Sequence, residues 1–289
     1  MSRLVFALMR LVHRLPLAAL AALGNLCGAI AFRLIGERRE VTRINLAKCF
    51  PQLSPAARER LARAHFRAFC RAFVERAILR WGSRERIAAL VKLEGLEHLE
   101  QARGGPVILL APHFVGLDMG FARLALEHDV AMLHSRQKDP RFEDLLHASR
   151  ARYGRARLYT RQDGVRASLA ALREGALYYY LPDLDYGPKH TVFVPFFGVP
   201  AATVTGLSFV ARESGARVVP CVTRMLPGGG GYVARFYPAW DDFPGSDERA
   251  DARRLLAFIE QRVREMPEQY YWLHKRFKTR PPGEARFYD

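Results

Sequence analysis

His113 and Asp118 are the pair in this sequence whose types and spacing most suggest chemistry. An apolar run, ProValIleLeuLeuAla (Pro106–Ala111), leads into ProHisPheValGlyLeuAsp (Pro112–Asp118). The run reads as a strand and Gly116–Gly120 as the opening of a helix. His113 then stands at the carboxyl end of a strand, where α/β folds bind ligands. A loop histidine and a first-turn aspartate five positions on can meet side by side. The carboxylate would accept a hydrogen bond from one imidazole nitrogen and leave the other as a base. A helix N-terminus also helps to keep Asp118 ionised. The spacing alone is weak in a chain with nine histidines. Asp118 balancing the helix dipole beside a satisfied loop histidine is the bland alternative, and the strand–loop–helix context strengthens the catalytic one.

A second candidate is LeuProAspLeuAspTyrGly (Leu181–Gly187), which also follows a strand-like run. Asp183 and Asp185 there would orient a base, bind a metal or bond loop amides, the last being the commonest role of Asp in a turn. There is no G-x-S-x-G elbow, and the four cysteines, Cys27, Cys49, Cys70 and Cys221, form no CxxC pair or Cys/His ligand set.

The elements that must position these residues alternate from about Val91 onward. Strands are predicted at Pro106–Ala111, Val130–Leu133, Ala176–Leu181, Val192–Pro195, Arg217–Val222 and Tyr232–Tyr237. Helices are predicted at Gly116–Glu127, Arg141–Tyr153, Gly164–Glu174, Val204–Ser214 and Asp247–Met266. That alternation predicts an α/β fold with a largely parallel or mixed central sheet flanked by helices. The glycine run Gly228–Gly231 reads as a hairpin loop, since no Lys-Ser/Thr follows it.

The chain has 289 residues, 49% of them hydrophobic, so it can bury a sizeable core. A formal charge of +16 calls for an anionic partner. Leu15–Phe32 runs without a charge, close to the length a spanning helix needs. It reads as a membrane anchor, with a cleaved signal peptide or a buried core helix as alternatives. Between Arg33 and Arg80 there are twelve Lys/Arg against four Glu. Ser54-Pro55 caps a helix carrying Arg58, Arg60, Arg63, Arg67, Arg71, Arg76 and Arg80 among aromatics, a pattern that fits an anionic membrane surface. No nucleic-acid-binding motif accompanies the charge. The expected organisation is a membrane-anchoring helix over residues 1–36 and a second domain over 37–289. The latter divides into a basic helical region (37–90) and an α/β catalytic core (91–289).

ArgIleAsnLeuAlaLysCysPhePro (Arg43–Pro51), HisPheValGlyLeuAsp (His113–Asp118), ProAspLeuAspTyrGlyPro (Pro182–Pro188), ValPheValProPhePheGlyValProAlaAla (Val192–Ala202) and GluGlnTyrTyrTrpLeuHisLysArgPheLysThrArgPro (Glu268–Pro281) resemble the late acyltransferases of lipid A biosynthesis. These are lauroyl and myristoyl transferases within the lysophospholipid acyltransferase superfamily, and the resemblance makes the domain over 37–289 an expected acyltransferase domain. Many members carry Glu where this chain has Asp118, the form typical of the wider superfamily.

The resemblance implies an enzyme at the cytoplasmic face of a Gram-negative inner membrane. It would move a fatty acyl group from acyl carrier protein to a hydroxyl of a lipid A precursor, with no metal or bound cofactor. His113 would be the general base and Asp118 its partner, with backbone amides near Val115–Gly116 as oxyanion donors. Arg136, Arg150, Asp183, Asp185 and Lys189 would bind substrate, with surface charge and no substrate contact as the alternative for Arg136, Arg150 and Lys189. The alternatives are an acyltransferase of the same superfamily acting on a lysophospholipid or aminolipid, and a non-catalytic membrane-binding protein.

Overall fold

Pro16 decides how the chain begins. A computed structural model describes residues 3–160 and 163–288, so residues 1, 2, 161, 162 and 289 of the expected regions lie outside it. Helix α1 (Arg3–Val12) ends before Pro16, and α2 (Leu17–Leu34) starts directly after it. Proline suits the start of a helix because it has no N–H to leave unpaired. Helices α3 (Gly36–Cys49) and α4 (Pro55–Trp81) follow, α4 capped by the Ser54 side chain as its sequence predicts.

One face of α2 is buried through Leu17, Leu20, Gly24, Gly28 and Phe32. A Cβ on Gly24 would lie 2.4 Å from the Cα of Arg71, and one on Gly28 would lie 2.5 Å from the Cα of Arg67. Only glycine lets two helix backbones approach that closely. The helix expected as a separate anchor is therefore packed along α4, while Leu26, Ile30 and Leu34 on its other face stay exposed. Among the described residues it is the one helix long and apolar enough to cross a membrane.

The arginines of α4 do not form one solvated face. Arg60, Arg63 and Arg67 are exposed, but Arg71 is buried. It donates to Glu75 at 2.6 Å and to the Leu226 carbonyl at 2.7 Å, and Tyr232 also donates to Glu75. Arg76 turns inward as well. These two charges balance acids inside the protein and are not available to a lipid surface.

After α5 (Arg84–Leu90) the α/β core begins. In chain order it comprises β1 (Val91–Glu94), α6 (Leu96–Ala102), β2 (Val107–Leu110), α7 (Leu117–Ala125), β3 (Val130–His134), α8 (Pro140–Arg150) and β4 (Arg157–Thr160). Then come α9 (Gly164–Arg173), β5 (Leu177–Tyr180), β6 (Thr191–Phe196), β7 (Val199–Val204), α10 (Gly206–Ser214), β8 (Arg217–Met225), β9 (Tyr232–Phe236) and α11 (Glu248–Glu265). The sheet order is β1-β9-β8-β2-β5-β3-β4, parallel except for the β8–β9 hairpin across the glycine run. This is the predicted mixed, mostly parallel α/β sheet.

Alternate residues of each strand feed two cores. Ile108, Leu110, Tyr178 and Val218 face one, and Leu109, Leu177, Tyr179 and Val219 face the other. Strands buried on both faces read as continuous apolar runs, which is why β2, β5 and β8 are legible in the sequence. The edge strands β1 and β4 carry Lys, Glu and Arg, and no apolar run marks them. Strand β7 was also not expected. It pairs with β6 in a separate hairpin, turned by Phe197 and Gly198 at φ of 51° and 80°, the left-handed geometry of a two-residue hairpin loop.

Candidate active site

His113 and Asp183 are brought together by register. Strands β2 and β5 are parallel neighbours in which Leu110 pairs with Tyr180. His113 lies three residues beyond the first, and Asp183 three beyond the second. The imidazole Nδ1 of His113 donates to the Asp183 carboxylate at 2.7 Å, and its backbone N–H donates to the same group at 3.0 Å. Asp183 is fully buried. Burial opposes its ionisation, but His113 outweighs it and holds the carboxyl below the usual range. With Nδ1 committed, the lone pair of Nε2 is left for a substrate.

Asp118 was expected in that position, and the structure assigns its carboxylate elsewhere. Arg76 of α4 donates to one oxygen at 2.5 Å, and Arg150 at the end of α8 donates to the other at 2.9 Å. Being in the first turn of α7, Asp118 emerges between these two helices. Burial opposes its ionisation, and the guanidiniums of Arg150 and Arg76 override it, so its carboxyl titrates far below the usual range. The His-x4-Asp motif thus supplies two groups with separate partners.

The Glu268–Pro281 segment roofs the site. Phe114 and Tyr270 form an antiparallel bridge, Tyr271 N–H donates to the His113 carbonyl at 3.0 Å, and Val115 N–H donates to the Gln269 carbonyl at 2.9 Å. That last bond uses an amide expected to serve an oxyanion. Gly116, the other, is buried against Thr223 and Tyr232 away from the cleft. Asn45 of the Arg43–Pro51 motif braces the roof, donating to the carbonyls of Trp272 and His274 at 2.8 Å each.

His113, Asp118, Arg76 and Arg150 open onto one cleft of about 1130 Å³. Its wall also includes Val165, Tyr178, Val192, Val204, Gly206 and Val210. Lys189 lines the cleft as expected. Arg136 does not; it is exposed on the loop after β3. Nor does Asp185, whose carboxylate accepts from the amides of Gly187 and Thr279 and from the Thr279 hydroxyl. It is a tether for the C-terminal segment. The sequence reading missed three cleft residues as site groups: Arg76, Tyr271 and His274. Arg76 was hidden among the arginines of α4, while the other two lie in a motif quoted only for resemblance. Among the described residues no three His, Cys, Asp or Glu side chains stand together as metal ligands.

A family model described as bacterial lipid A biosynthesis acyltransferase matches residues 1–279. The chain is 33% identical over 276 residues to the lipid A biosynthesis lauroyltransferase of Escherichia coli (strain K12), covering 94% of this chain and 90% of that one. It is 35% identical over 277 residues to the lipid A biosynthesis myristoyltransferase of the same organism, covering 93% and 83%. With that organism's palmitoleoyltransferase the identity is 31% over 278 residues, covering 95% and 90%. These relatives are named for different acyl chains at nearly equal identity, so similarity alone does not choose among them.

Proposed function

This chain belongs to the bacterial lipid A biosynthesis acyltransferase family, and we propose that it transfers a fatty acyl group from acyl carrier protein to a hydroxyl of a tetra-acylated, Kdo2-lipid IVA-type lipid A precursor. The observation that carries this reading is a carboxylate–imidazole pair, Asp183–His113, whose imidazole opens onto a large, partly apolar cleft also lined by Arg76 and Arg150. The acceptor hydroxyl is a weak nucleophile. His113 Nε2 takes its proton as the oxygen attacks the thioester carbonyl, and Asp183 stabilises the imidazolium that forms. The tetrahedral intermediate collapses, the C–S bond breaks, and the phosphopantetheine thiol leaves with the proton from His113.

Asp118 acts on the cleft through its guanidiniums. It holds Arg76 and Arg150 in fixed positions, where they and Lys189 face an anionic substrate. The reaction runs at the cytoplasmic face of the inner membrane, where acyl carrier protein is available, and the exposed apolar face of α2 rests in the lipid. Acyl carrier protein is acidic, and the basic surface of this chain suits it.

The test is a transfer assay in detergent with acyl carrier protein loaded with C10 to C16 chains and the tetra-acylated precursor, read by mass spectrometry. One added acyl mass is expected, with His113→Ala slower by about 10²–10⁴. A folded His113→Ala enzyme at near-full rate would remove the base assignment. Acylation of a lysophospholipid in place of the precursor would move the acceptor.

A further inference from the structure

Two imidazoles hang from the Pro182–Gly187 loop, and the loop fixes them in opposite senses. The Asp183 carboxylate accepts from His113 Nδ1, which leaves an acceptor nitrogen on His113. Two residues on, the backbone N–H of Asp185 donates to His274 Nε2 at 3.0 Å. A backbone amide can only donate, so this bond requires the lone pair of Nε2. The remaining hydrogen of a neutral His274 ring is then on Nδ1, and among the described residues that nitrogen has no protein acceptor. Burial keeps the ring neutral by pushing its pKa down to about 4. Both rings line the same cleft, and Tyr271 stacks on each, at 6.3 Å from His113 and 6.4 Å from His274. The Asn45 bond to the His274 carbonyl holds the backbone that carries this ring.

The proposed acyl transfer has an unfilled role. A negative charge develops on the thioester carbonyl oxygen and calls for a fixed donor. The Val115 amide is engaged by Gln269, and Gly116 does not face the cleft. We propose that His274 is a catalytic residue that donates its Nδ1–H to the acyl carbonyl oxygen as that oxygen becomes an oxyanion.

The proton stays on His274 throughout. The hydroxyl oxygen bonds to the carbonyl carbon, the π electrons move to the oxygen facing His274, and His113 holds the hydroxyl proton. When the carbonyl re-forms, the C–S bond breaks and the thiolate takes the proton from His113. One loop thereby sets a base and a donor on the same reacting centre. This inference rests on the acyl-transfer reading above.

The test uses the full chain in detergent with His274→Gln and His274→Glu. Both side chains can accept from the Asp185 amide, but only glutamine also donates. The glutamine variant is expected within about tenfold of the parent kcat. The glutamate variant should lose about 10²–10³ in kcat with KM little changed. Equal rates for the two variants, or a loss confined to KM, overturn the assignment.

A measurement on the unaltered protein decides the case even if both variants misfold. In protein labelled with nitrogen-15 at histidine, His274 should show a protonated Nδ1 whose resonance shifts when a ketone analogue of acyl-pantetheine binds. A protonated Nε2, or an unmoved resonance, rejects the proposal. His113→Ala in the same assay separates the two claims. If it is inactive while His274→Glu is fully active, only the present inference fails; if it is fully active, the base assignment of His113 fails; if the parent itself adds no acyl mass to the acceptor, the acyl-transfer reading fails.

Discussion

Asp118, which lines the cleft, and Asp183, which holds His113, are both buried acids, but replacing them should fail in different ways. Asp183→Asn keeps the shape and loses the acceptor that sets the His113 tautomer. The enzyme should fold normally and lose up to about 10⁴ in kcat, the scale of the same change in a serine-protease triad. Asp118→Asn leaves the guanidiniums of Arg76 and Arg150 facing each other without their counter-charge. Breaking a buried pair in this way costs about 3–5 kcal/mol. That variant should therefore melt well below the parent, with its activity loss tracking its stability. Thermal melts beside kcat for the two variants check both expectations, and a stable but inactive Asp118→Asn would restore it to the catalytic pair. The sequence made both acids visible as candidates and gave no means of choosing between them. Five residues along a chain suggest contact; seventy do not. The contact that forms depends on β2 lying next to β5, a neighbour relation that no residue in either strand encodes alone.

Helices were legible where one face had to be apolar, and their partners were not. The uncharged stretch from Leu15 announces a helix, but its docking is written in Gly24 and Gly28, whose meaning appears only against the backbone of α4. Gly24→Leu would drive a side chain into Arg71 and should destabilise the protein by at least the roughly 1–3 kcal/mol of ordinary overpacking, read as a lower melting temperature. An unchanged melt would mean that α2 leaves α4 readily. On the cleft wall, α10 begins at Gly206, where an added Cβ would meet the Tyr180 hydroxyl at 2.5 Å. Gly206→Leu should shorten the space for an acyl tail and shift the product towards shorter chains. Discrimination of roughly 10–200-fold per methylene is the scale expected of an apolar pocket. Competition between C12 and C16 donors, scored by product mass, tests this. An unshifted product profile would place the tail along another wall. The hairpin β6–β7 that builds this side of the cleft was read only in part, because its second strand runs directly into α10 and its apolar residues suit either element.

Across the whole molecule, the exposed large apolar side chains fall almost entirely on the N-terminal helices. Leu8, Leu11, Leu15, Leu26, Ile30, Leu34 and Ile35 belong to α1, α2 and their flanks, and Phe209, at the cleft, is the other exposed large apolar residue among those described. Apolar surface gathered in this way marks a face that meets lipid or another protein. Joined to a formal charge of +16, it suits an anionic membrane and an acidic carrier, but it also makes the protein sensitive to acid. Every proton added raises a charge already far from zero, and two of the protons go to histidines that the fold keeps neutral. His65, fully buried on α4, donates from Nδ1 to the Glu268 carbonyl, and burial pushes its pKa down to about 4, as it does for His274. In the unfolded chain both titrate near 6.5. Between pH 6.5 and 4 the unfolded state therefore binds protons that the folded state refuses, so stability is complete above that window and falls as pH drops through it. The loss is on the order of 3 kcal/mol for each histidine by pH 4 and levels off below it. Melting temperature measured in detergent from pH 8 to pH 4 should stay level to about 6.5 and then decline. His65→Gln, whose amide can still donate to Glu268 and does not titrate, should decline less steeply by about the contribution of one histidine. If the two curves ran parallel through the window, His65 would be accepting its proton inside the folded protein, and the buried contact between α4 and the roof of the active site would be opening well before the molecule unfolds.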